Sequence, residues 1–372
     1  MRIIVTGGGT AGHVNAGITI LDEFKKRFPA GESLFIGTKR GLEKELIPRA
    51  GYKIKFIKAR GLNRESIPVL IYSLFLIPFS IIHSVCIIMR FKPDAVIGVG
   101  GFASGPFVLA SYILGKPVFL LEQNAVMGFT NRILIRFAKK IFIAFPLANI
   151  KKADKHKAVL SGNPVRNSIT LSSRYANMKV NVDVNKNIQR NKTFNIFIFG
   201  GSQGARAINN CITDAIEKLN RIDSINIIHQ TGRLEFEKIK DAYSGATFEY
   251  VVYDYIHGMA KIYDATDLVI ARSGASTIFE LIASGVPSIL IPLPTAADNH
   301  QYYNAKFLSD NGVAELIEQK KLTPDFLVER IKYYKEHPEM LKTMSKKLSQ
   351  IPAPKKRPEE TIIETIAGSL NA

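Results

Sequence analysis

Cysteine is scarce in this sequence, and no secretory signal stands at its start. The 372 residues include two cysteines, Cys86 and Cys211, which lie far apart in apolar or helical contexts. They predict neither a disulfide framework nor a metal site. The first strand-like run, "MRIIVTG", has no apolar segment or cleavage site before it. We therefore expect a cytosolic protein.

Acidic residues are few relative to basic ones. The chain has 50 Lys and Arg residues against 32 Asp and Glu residues, which gives a net charge of +18. This excess favours an anionic partner, such as nucleic acid, a phosphorylated metabolite or an acidic membrane surface. The charge is dispersed rather than arranged in a stripe, and no nucleic-acid-binding motif accompanies it. We therefore expect no nucleic acid among the partners.

Formal charge is absent from one long segment. Residues 66–89, "SIPVLIYSLFLIPFSIIHSVCIIM", are numerous enough to cross a membrane. Pro68 and Pro78 interrupt the segment, however, and it continues into a strand-like run, as a crossover helix does. We expect a helix that packs partly on a sheet and presents its remaining apolar surface to a membrane.

Strand-like and helical patterns alternate in both halves of the chain. In the first half, β-branched runs such as "DAVIGVG" and "PVFLLE" alternate with amphipathic stretches at 16–28 and 41–50. The pattern restarts at "FNIFIFGG". This alternation predicts βαβ units in mostly parallel sheets. We expect an α/β protein with two doubly wound, Rossmann-like domains at 1–165 and 193–350, a polar linker at 166–192, and a last helix at about 355–372 that packs back on the first domain.

The first glycine-rich turn matches the pattern G-x-G-x-x-G at Gly7, Gly9 and Gly12. This pattern is typical of dinucleotide-binding enzymes, but an NAD site also needs an acidic residue at the end of the second strand. Lys39 and Arg40 stand there instead. An NADP site, or a strand-to-helix turn without a ligand, remains open on these residues alone.

Three further glycine-rich turns accompany the first one. "GGGTAGH", "GVGGFASGP", "GGSQGAR" and "RSGAS" all follow strand-like runs. In doubly wound sheets the carboxyl ends of the strands line the ligand-binding crevice. The four turns together indicate a site for large, phosphorylated substrates rather than a single cofactor.

Seven short motifs are spread along the whole chain. They are "GGTAGH" at 8–13, "GVGGFASGP" at 98–106, "EQNAVMG" at 122–128, "GNPVR" at 162–166, "GGSQGARAIN" at 200–209, "RSGASTIFE" at 272–280 and "DNHQYYNA" at 298–305. In this order they resemble the MurG family of bacterial N-acetylglucosaminyltransferases. The resemblance implies a GT-B fold, in which two Rossmann-like domains face each other across a cleft.

The resemblance also implies the reaction and its place in the cell. UDP-N-acetylglucosamine would bind mainly to the second domain, and an undecaprenyl-pyrophosphate-linked N-acetylmuramyl pentapeptide to the first. The muramyl 4-hydroxyl would displace UDP with inversion. The enzyme would lie peripherally on the cytoplasmic face of the bacterial inner membrane, with anionic headgroups facing Arg132, Arg136, Lys139 and Lys140. Another GT-B enzyme, with a different nucleotide sugar or lipid acceptor, is the alternative.

The donor side of the implied site has five main residues. In the family, the glutamate at the position of Glu280 accepts hydrogen bonds from the ribose hydroxyls, although an acid in a first helical turn needs no ligand to explain it. Ser202 would bind a phosphate, and Arg166 would supply positive charge to UDP or form a salt bridge. The backbone of Ile256 would hold the uracil with Met259 beside it, although both fit a core equally well.

His13 is the candidate general base. It stands at the start of the first helix, where the positive end of the helix dipole favours the neutral imidazole, but a capping or phosphate-binding role is equally open. Asn124 and Gln301 are amides suited to sugar hydroxyls. Ala11 replaces a glycine of the family pattern, and His300 replaces a glutamine. No metal is expected because "DNH" at 298–300 is too sparse, and no cofactor is expected. The other substrate-binding positions are Thr10, Ala11, Gly12, Ala275, Ser276 and His300.

Overall fold

The structure, a computed structural model, describes residues 1–60, 67–147, 149–165, 193–201, 203–256, 258–351 and 356–371. The chain divides into two compact units, Met1–Arg166 with Ala353–Ala372, and Asn167–Pro352. The predicted linker at 166–192 lies outside the described residues.

Each unit contains one parallel sheet. The first sheet has seven strands in the order β3-β2-β1-β4-β5-β6-β7, and the second has six in the order β10-β9-β8-β11-β12-β13. The strands are β1 (Arg2–Gly7), β2 (Glu32–Gly37), β3 (Ile54–Phe56), β4 (Ala95–Gly100), β5 (Val118–Glu122), β6 (Lys140–Ile143), β7 (Ala158–Leu160), β8 (Phe194–Phe199), β9 (Ile225–Gln230), β10 (Glu249–Tyr253), β11 (Leu268–Ala271), β12 (Ser288–Leu290) and β13 (Ala314–Leu316).

Helices connect most successive strands. They are α1 (Ala11–Arg27), α2 (Glu43–Arg49), α3 (Ile67–Phe91), α4 (Ser104–Ile113), α5 (Phe129–Leu134), α6 (Arg206–Leu219), α7 (Phe236–Ala242), α8 (Met259–Asp264), α9 (Ala275–Ser284), α10 (His300–Asp310), α11 (Pro324–Glu336), α12 (Pro338–Gln350) and α13 (Pro358–Asn371).

The predicted alternation of strands and helices is confirmed in both halves. Apolar runs such as "AVIGVG" in β4 and "FNIFIF" in β8 are buried almost throughout, because helices cover both faces of a parallel sheet. The amphipathic stretch at 16–28 lies almost wholly in α1, which begins at Ala11, directly after the glycine turn, so His13 stands in its first turn as expected. The edge strands β7 and β13, each of three residues, were not predicted.

The core of the first unit includes the end of the chain. Ile20 and Phe24 of α1 belong to the same buried cluster as Ile362 and Ile366 of α13. Arg357, just before α13, also forms an ion pair with the buried carboxylate of Glu23 in α1. The terminal helix therefore completes the first unit, although the second unit precedes it in sequence.

Helix α3 lies on the other face of the first sheet. Ile87 and Ile88 are buried in a cluster with strand residues, whereas Phe75 and Ile82 are 69% and 62% exposed. The predicted helix at 66–89 is therefore confirmed, as is its partial packing on the sheet. Within the described ranges, no helix has the length and apolar character needed to cross a bilayer.

Candidate active site

Two glycine-rich turns meet at the carboxyl end of the first sheet. They follow β1 and β4, the neighbouring strands at which the strand order reverses, which is where doubly wound sheets bind ligands. The N–H of Gly8 donates to the carbonyl of Gly100 over 3.2 Å. An added Cβ at Gly101, whose φ is +86°, would lie 2.3 Å from the carbonyl oxygen of Gly8. Only glycine allows this approach.

His13 lies in the first turn of α1, above the junction of the two turns. Its Nδ1 is 3.1 Å from the carbonyl oxygen of Gly8 and 3.3 Å from Oγ1 of Thr10. A carbonyl can only accept, so the bond to Gly8 requires the proton on Nδ1 and leaves Nε2 unprotonated in the neutral ring. Thr10, the exposed N-cap residue, makes no side-chain capping bond. Ala11 and Gly12 are half-buried beside it.

Glu43, the first residue of α2, contacts this turn and was not predicted from the sequence. Its carboxylate is fully buried and accepts hydrogen bonds from the N–H of Gly9, at 2.8 Å, and from the N–H and hydroxyl of Thr38, at 2.9 and 2.8 Å. The N–H of Gly9 is therefore already donated inside the protein. The end of β2 lacks the acidic residue of an NAD site. Glu43, five residues after Thr38, instead accepts a hydrogen bond from the glycine turn itself.

A second buried glutamate shapes the loop that carries Asn124. Glu122, at the end of β5, accepts from the backbone N–H and the side-chain amide of Asn124 at 3.0 and 3.3 Å. It also accepts from Gly128 and from Asn131, each over 2.9 Å. Asn124 is thus held by a carboxylate that closes the loop at residues 122–131.

In the second unit, Gln230 links the glycine turn after β8 to Ile256. Its side-chain N–H donates to the carbonyl of Gly201 over 3.0 Å, and its Oε1 accepts from the N–H of Ile256 over 2.9 Å. Ile256 and Met259 are both buried, with Met259 opening α8. The backbone of Ile256 is therefore held beside the turn that follows β8.

Glu280 lies in α9, which follows the turn after β11. Its side chain is 6% exposed, and Oε2 accepts from the hydroxyl of Tyr263 over 3.0 Å. The N-cap of α9 is Gly274, which has no side chain to cap the helix. The N–H groups of Ala275 and Ser276 therefore lie at an uncapped helix end, which is suited to an anion.

The loop before α10 places Gln301 and His300. The Oε1 of Gln301 accepts from the N–H of Leu293 at 3.0 Å, and Nδ1 of His300 is 2.7 Å from the carbonyl of Ala297. Asp298 and Asn299 before them have φ values of +50° and +53°, a backbone region that non-glycine residues seldom occupy. Strained backbone of this kind is common at ligand-binding loops.

Arg272 is a buried cation near this loop that sequence reasoning did not assign. It donates to the carbonyls of Ile291 and Pro292 at 3.0 Å and to Oε1 of Gln319 at 2.6 Å. Burial lowers the pKa of Arg272 to about 10. Its contacts make it a support for the backbone after β12.

Two predicted site residues, Arg166 and Ser202, lie outside the described residues. The others divide between the units: Thr10, Ala11, Gly12, His13 and Asn124 in the first, and Ile256, Met259, Ala275, Ser276, Glu280, His300 and Gln301 in the second. Within the described ranges, no three His, Cys, Asp or Glu residues are grouped so that they could hold a metal ion.

Family models match both units. The Glycosyltransferase family 28 N-terminal domain matches residues 3–143, and the Glycosyltransferase family 28 C-terminal domain matches residues 195–365. The chain is a family 28 glycosyltransferase. Both family models match it, and each of its two parallel sheets has glycine turns where the strand order reverses.

Individual relatives narrow the family further. A protein of Myxococcus xanthus (strain DK1622) named UDP-N-acetylglucosamine--N-acetylmuramyl-(pentapeptide) pyrophosphoryl-undecaprenol N-acetylglucosamine transferase is 39% identical over 95% of this chain and 90% of its own. A protein of the same name from Syntrophus aciditrophicus (strain SB) is 38% identical over 94% of each chain. The crystal structure of Acinetobacter baumannii MurG superimposes with a TM-score of 0.76, 30% identity and 99% coverage of both chains. The chain belongs to the MurG family, and the predicted fold class is confirmed.

Proposed function

We propose that this protein transfers N-acetylglucosamine from UDP-N-acetylglucosamine to the 4-hydroxyl of a lipid-linked N-acetylmuramyl pentapeptide, with inversion. The observation that carries the proposal is the 38–39% identity, over 94–95% of the chain, to proteins named for this reaction. The two glycine-turn sites support it, because each offers polar groups at a sheet edge where a phosphorylated substrate can bind.

The second unit binds the donor in this proposal. Glu280 accepts hydrogen bonds from the ribose hydroxyls, since an ionised carboxylate offers several acceptor sites and the hydroxyl of Tyr263 orients this one. The uncapped end of α9, with Ala275 and Ser276, faces phosphate charge. The backbone carbonyl of Ile256, whose N–H is donated to Gln230, holds the uracil edge, and Gln301 binds the sugar, together with Met259 and His300.

The first unit binds the acceptor and supplies the base. Nε2 of His13 takes the proton of the muramyl 4-hydroxyl while the oxygen bonds to the anomeric carbon. The bond from that carbon to the UDP oxygen breaks, and its electron pair leaves with UDP. Thr10, Ala11, Gly12 and Asn124 line the acceptor side. Arg166 and Ser202, on the sequence resemblance, add charge and a hydroxyl at the UDP end.

We also propose that the first unit attaches peripherally to an anionic membrane through α3. Phe75, Phe79, Ile82 and Met89 form an exposed apolar stripe along this helix. Apolar side chains of this kind enter the interfacial region of a bilayer. A lipid-linked acceptor requires the enzyme to reach that region.

Both flanks of α3 support this attachment. On one side a groove of about 210 Å³ is lined by apolar side chains that include Leu76, Phe102 and Ile133. On the other side, a second groove of about 390 Å³ is lined by residues that include the cations Lys39, Lys55 and Arg90. Cations beside an apolar stripe attract anionic headgroups. These residues add to Arg132, Arg136, Lys139 and Lys140, the cations expected from the sequence.

A transfer assay tests the proposed reaction. Purified protein is incubated with radiolabelled UDP-N-acetylglucosamine and the lipid-linked muramyl pentapeptide, and the expected result is label in the lipid fraction. Parallel reactions with UDP-glucose and with a lipid-linked acceptor that lacks the muramyl sugar test the alternative of another donor or acceptor. Transfer in a parallel reaction but not in the first would contradict the proposal.

A further inference from the structure

We propose that Glu43 is a positioning residue for His13 and that it acts through a single peptide group, the one between Gly8 and Gly9. This inference rests on the proposed function, because it concerns the histidine that serves there as the base. It assigns a role in the reaction to a fully buried carboxylate that touches no substrate.

The geometry of that peptide group carries the inference. Its N–H, on Gly9, donates to Oε2 of Glu43 over 2.8 Å, and its carbonyl, on Gly8, lies 3.1 Å from Nδ1 of His13. The two bonds lie at opposite ends of one rigid, planar unit. Fixing the N–H therefore also fixes the direction of the carbonyl that holds the imidazole.

The surroundings of Glu43 are built to hold a carboxylate. An added Cβ would lie within 2.5 Å of its side-chain atoms at Gly8, at Gly37 and at Gly41. Its oxygens accept three hydrogen bonds, from the N–H of Gly9 and from the N–H and hydroxyl of Thr38. An ionised carboxylate only accepts, so these surroundings match the ionised form. The described residues place no cation in an ion pair with Glu43, so its charge acts on these dipoles.

The arrangement has two chemical consequences for His13. The carbonyl of Gly8 selects the tautomer with the proton on Nδ1, so that the lone pair for the muramyl hydroxyl proton is on Nε2. The Glu43 charge also polarises the peptide, because hydrogen bonds in a chain strengthen one another. The negative end of this chain stabilises the imidazolium that forms when Nε2 takes the proton.

The first test measures the tautomer of the wild-type ring without any substrate. Heteronuclear NMR of the imidazole nitrogens, at a pH at which the ring is neutral, shows which nitrogen carries the proton, and the spectrum of His13→Gln assigns the signal among the seven histidines. The proposal expects the proton on Nδ1. A ring with its proton on Nε2 would overturn it, whatever the variants do.

The second test compares Glu43→Gln with Thr38→Val. Glu43→Gln removes the charge and places an amide against donors, so we expect a shift of the His13 ring towards the other tautomer and a loss of roughly tenfold to a hundredfold in kcat. The KM for UDP-N-acetylglucosamine should stay within about twofold of the wild-type value, because the donor binds to the other unit. A variant that is only destabilised would contain a smaller fraction of active protein, but its His13 ring would keep the wild-type tautomer.

Thr38→Val is the matched control. It removes a hydrogen bond to the same carboxylate and keeps both the charge and the bond to Gly9, so we expect the wild-type tautomer and kcat within about twofold. Wild-type tautomer and kcat in Glu43→Gln would overturn the proposal. If Glu43→Gln does not fold, Glu43→Asp, whose shorter side chain draws the carboxylate away from Gly9, is measured in its place with the same expected shift of tautomer and loss of kcat. Failure of the proposed function is distinguishable, since it would appear as absent transfer by wild-type protein that still carries the proton on Nδ1.

Discussion

The hydroxyl of Tyr263 donates a hydrogen bond to Oε2 of Glu280 inside the second unit, over 3.0 Å. Tyr263 is 1% exposed, so its contribution to a donor site would be indirect. It fixes the rotamer of the carboxylate that we propose for the ribose hydroxyls.

This pair gives the first prediction. Glu280→Gln should weaken UDP binding about 10- to 100-fold, because it removes the charge that strengthens the hydrogen bonds to the ribose. Tyr263→Phe should weaken it about two- to tenfold, because Tyr263 only orients the carboxylate. Isothermal titration of UDP measures both. Tyr243→Phe is the control, since its hydroxyl contacts His229 in the same unit and not Glu280. Equal affinities for all four proteins would contradict the ribose role.

His13 gives the second prediction. His13→Ala should lower kcat by about 10²- to 10⁴-fold, the usual contribution of a general base, while UDP affinity stays unchanged. Steady-state transfer kinetics with saturating donor measure the effect. His156→Gln, an exposed histidine of the same unit, should behave as wild type. Turnover by His13→Ala at the wild-type rate would exclude His13 as the base and leave the reaction itself untouched.

The exposed stripe on α3 gives the third prediction. Replacing Phe79 and Ile82 by serine should reduce binding to anionic vesicles about tenfold or more, because each side chain contributes apolar area to the interface. A flotation assay at low salt measures the bound fraction. Leu234→Ser is the control, since Leu234 is 94% exposed in the second unit. Wild-type protein that stays in solution would rule out peripheral attachment to such membranes.

A buried histidine gives the fourth prediction, which concerns stability. His229 has no exposed surface, lies between the hydroxyl of Tyr243 and Oδ1 of Asn209, and has a pKa that burial lowers to about 3. The unfolded chain binds a proton near pH 6.5 and the folded chain does not, so the contribution of His229 to stability falls as the pH drops from 6.5 towards 3.

The difference between two proteins isolates this effect. Between pH 7 and pH 5.5 the wild type should lose about 1 kcal/mol of unfolding free energy more than His229→Gln, whose amide can still donate and accept. Urea unfolding at both pH values measures it. The same pH dependence in both proteins would mean that His229 does not titrate on unfolding.

The sequence predicts the strands and the glycine turns, because each is marked by a pattern within a short stretch of the chain. Strands such as β1 and β4 are continuous apolar runs between turn residues, and the glycines after them are typical of close backbone approaches, so both the sheets and the turns were predictable. The partners of the site residues were not predictable. Glu43 meets Gly9 across 34 residues and Tyr263 meets Glu280 across 17, and nothing local distinguishes these side chains from ordinary helical ones.

The α13 helix has a consequence for synthesis of the chain. Its isoleucines share the core of α1, so the polypeptide must leave the first unit, complete Asn167–Pro352, and return. On the ribosome, the second unit can bury its core while the first still exposes the surface that Ile362 and Ile366 will cover. The unit that is synthesised first is therefore completed last. A chain truncated before residue 358 would leave the apolar surface that α13 covers permanently exposed to solvent.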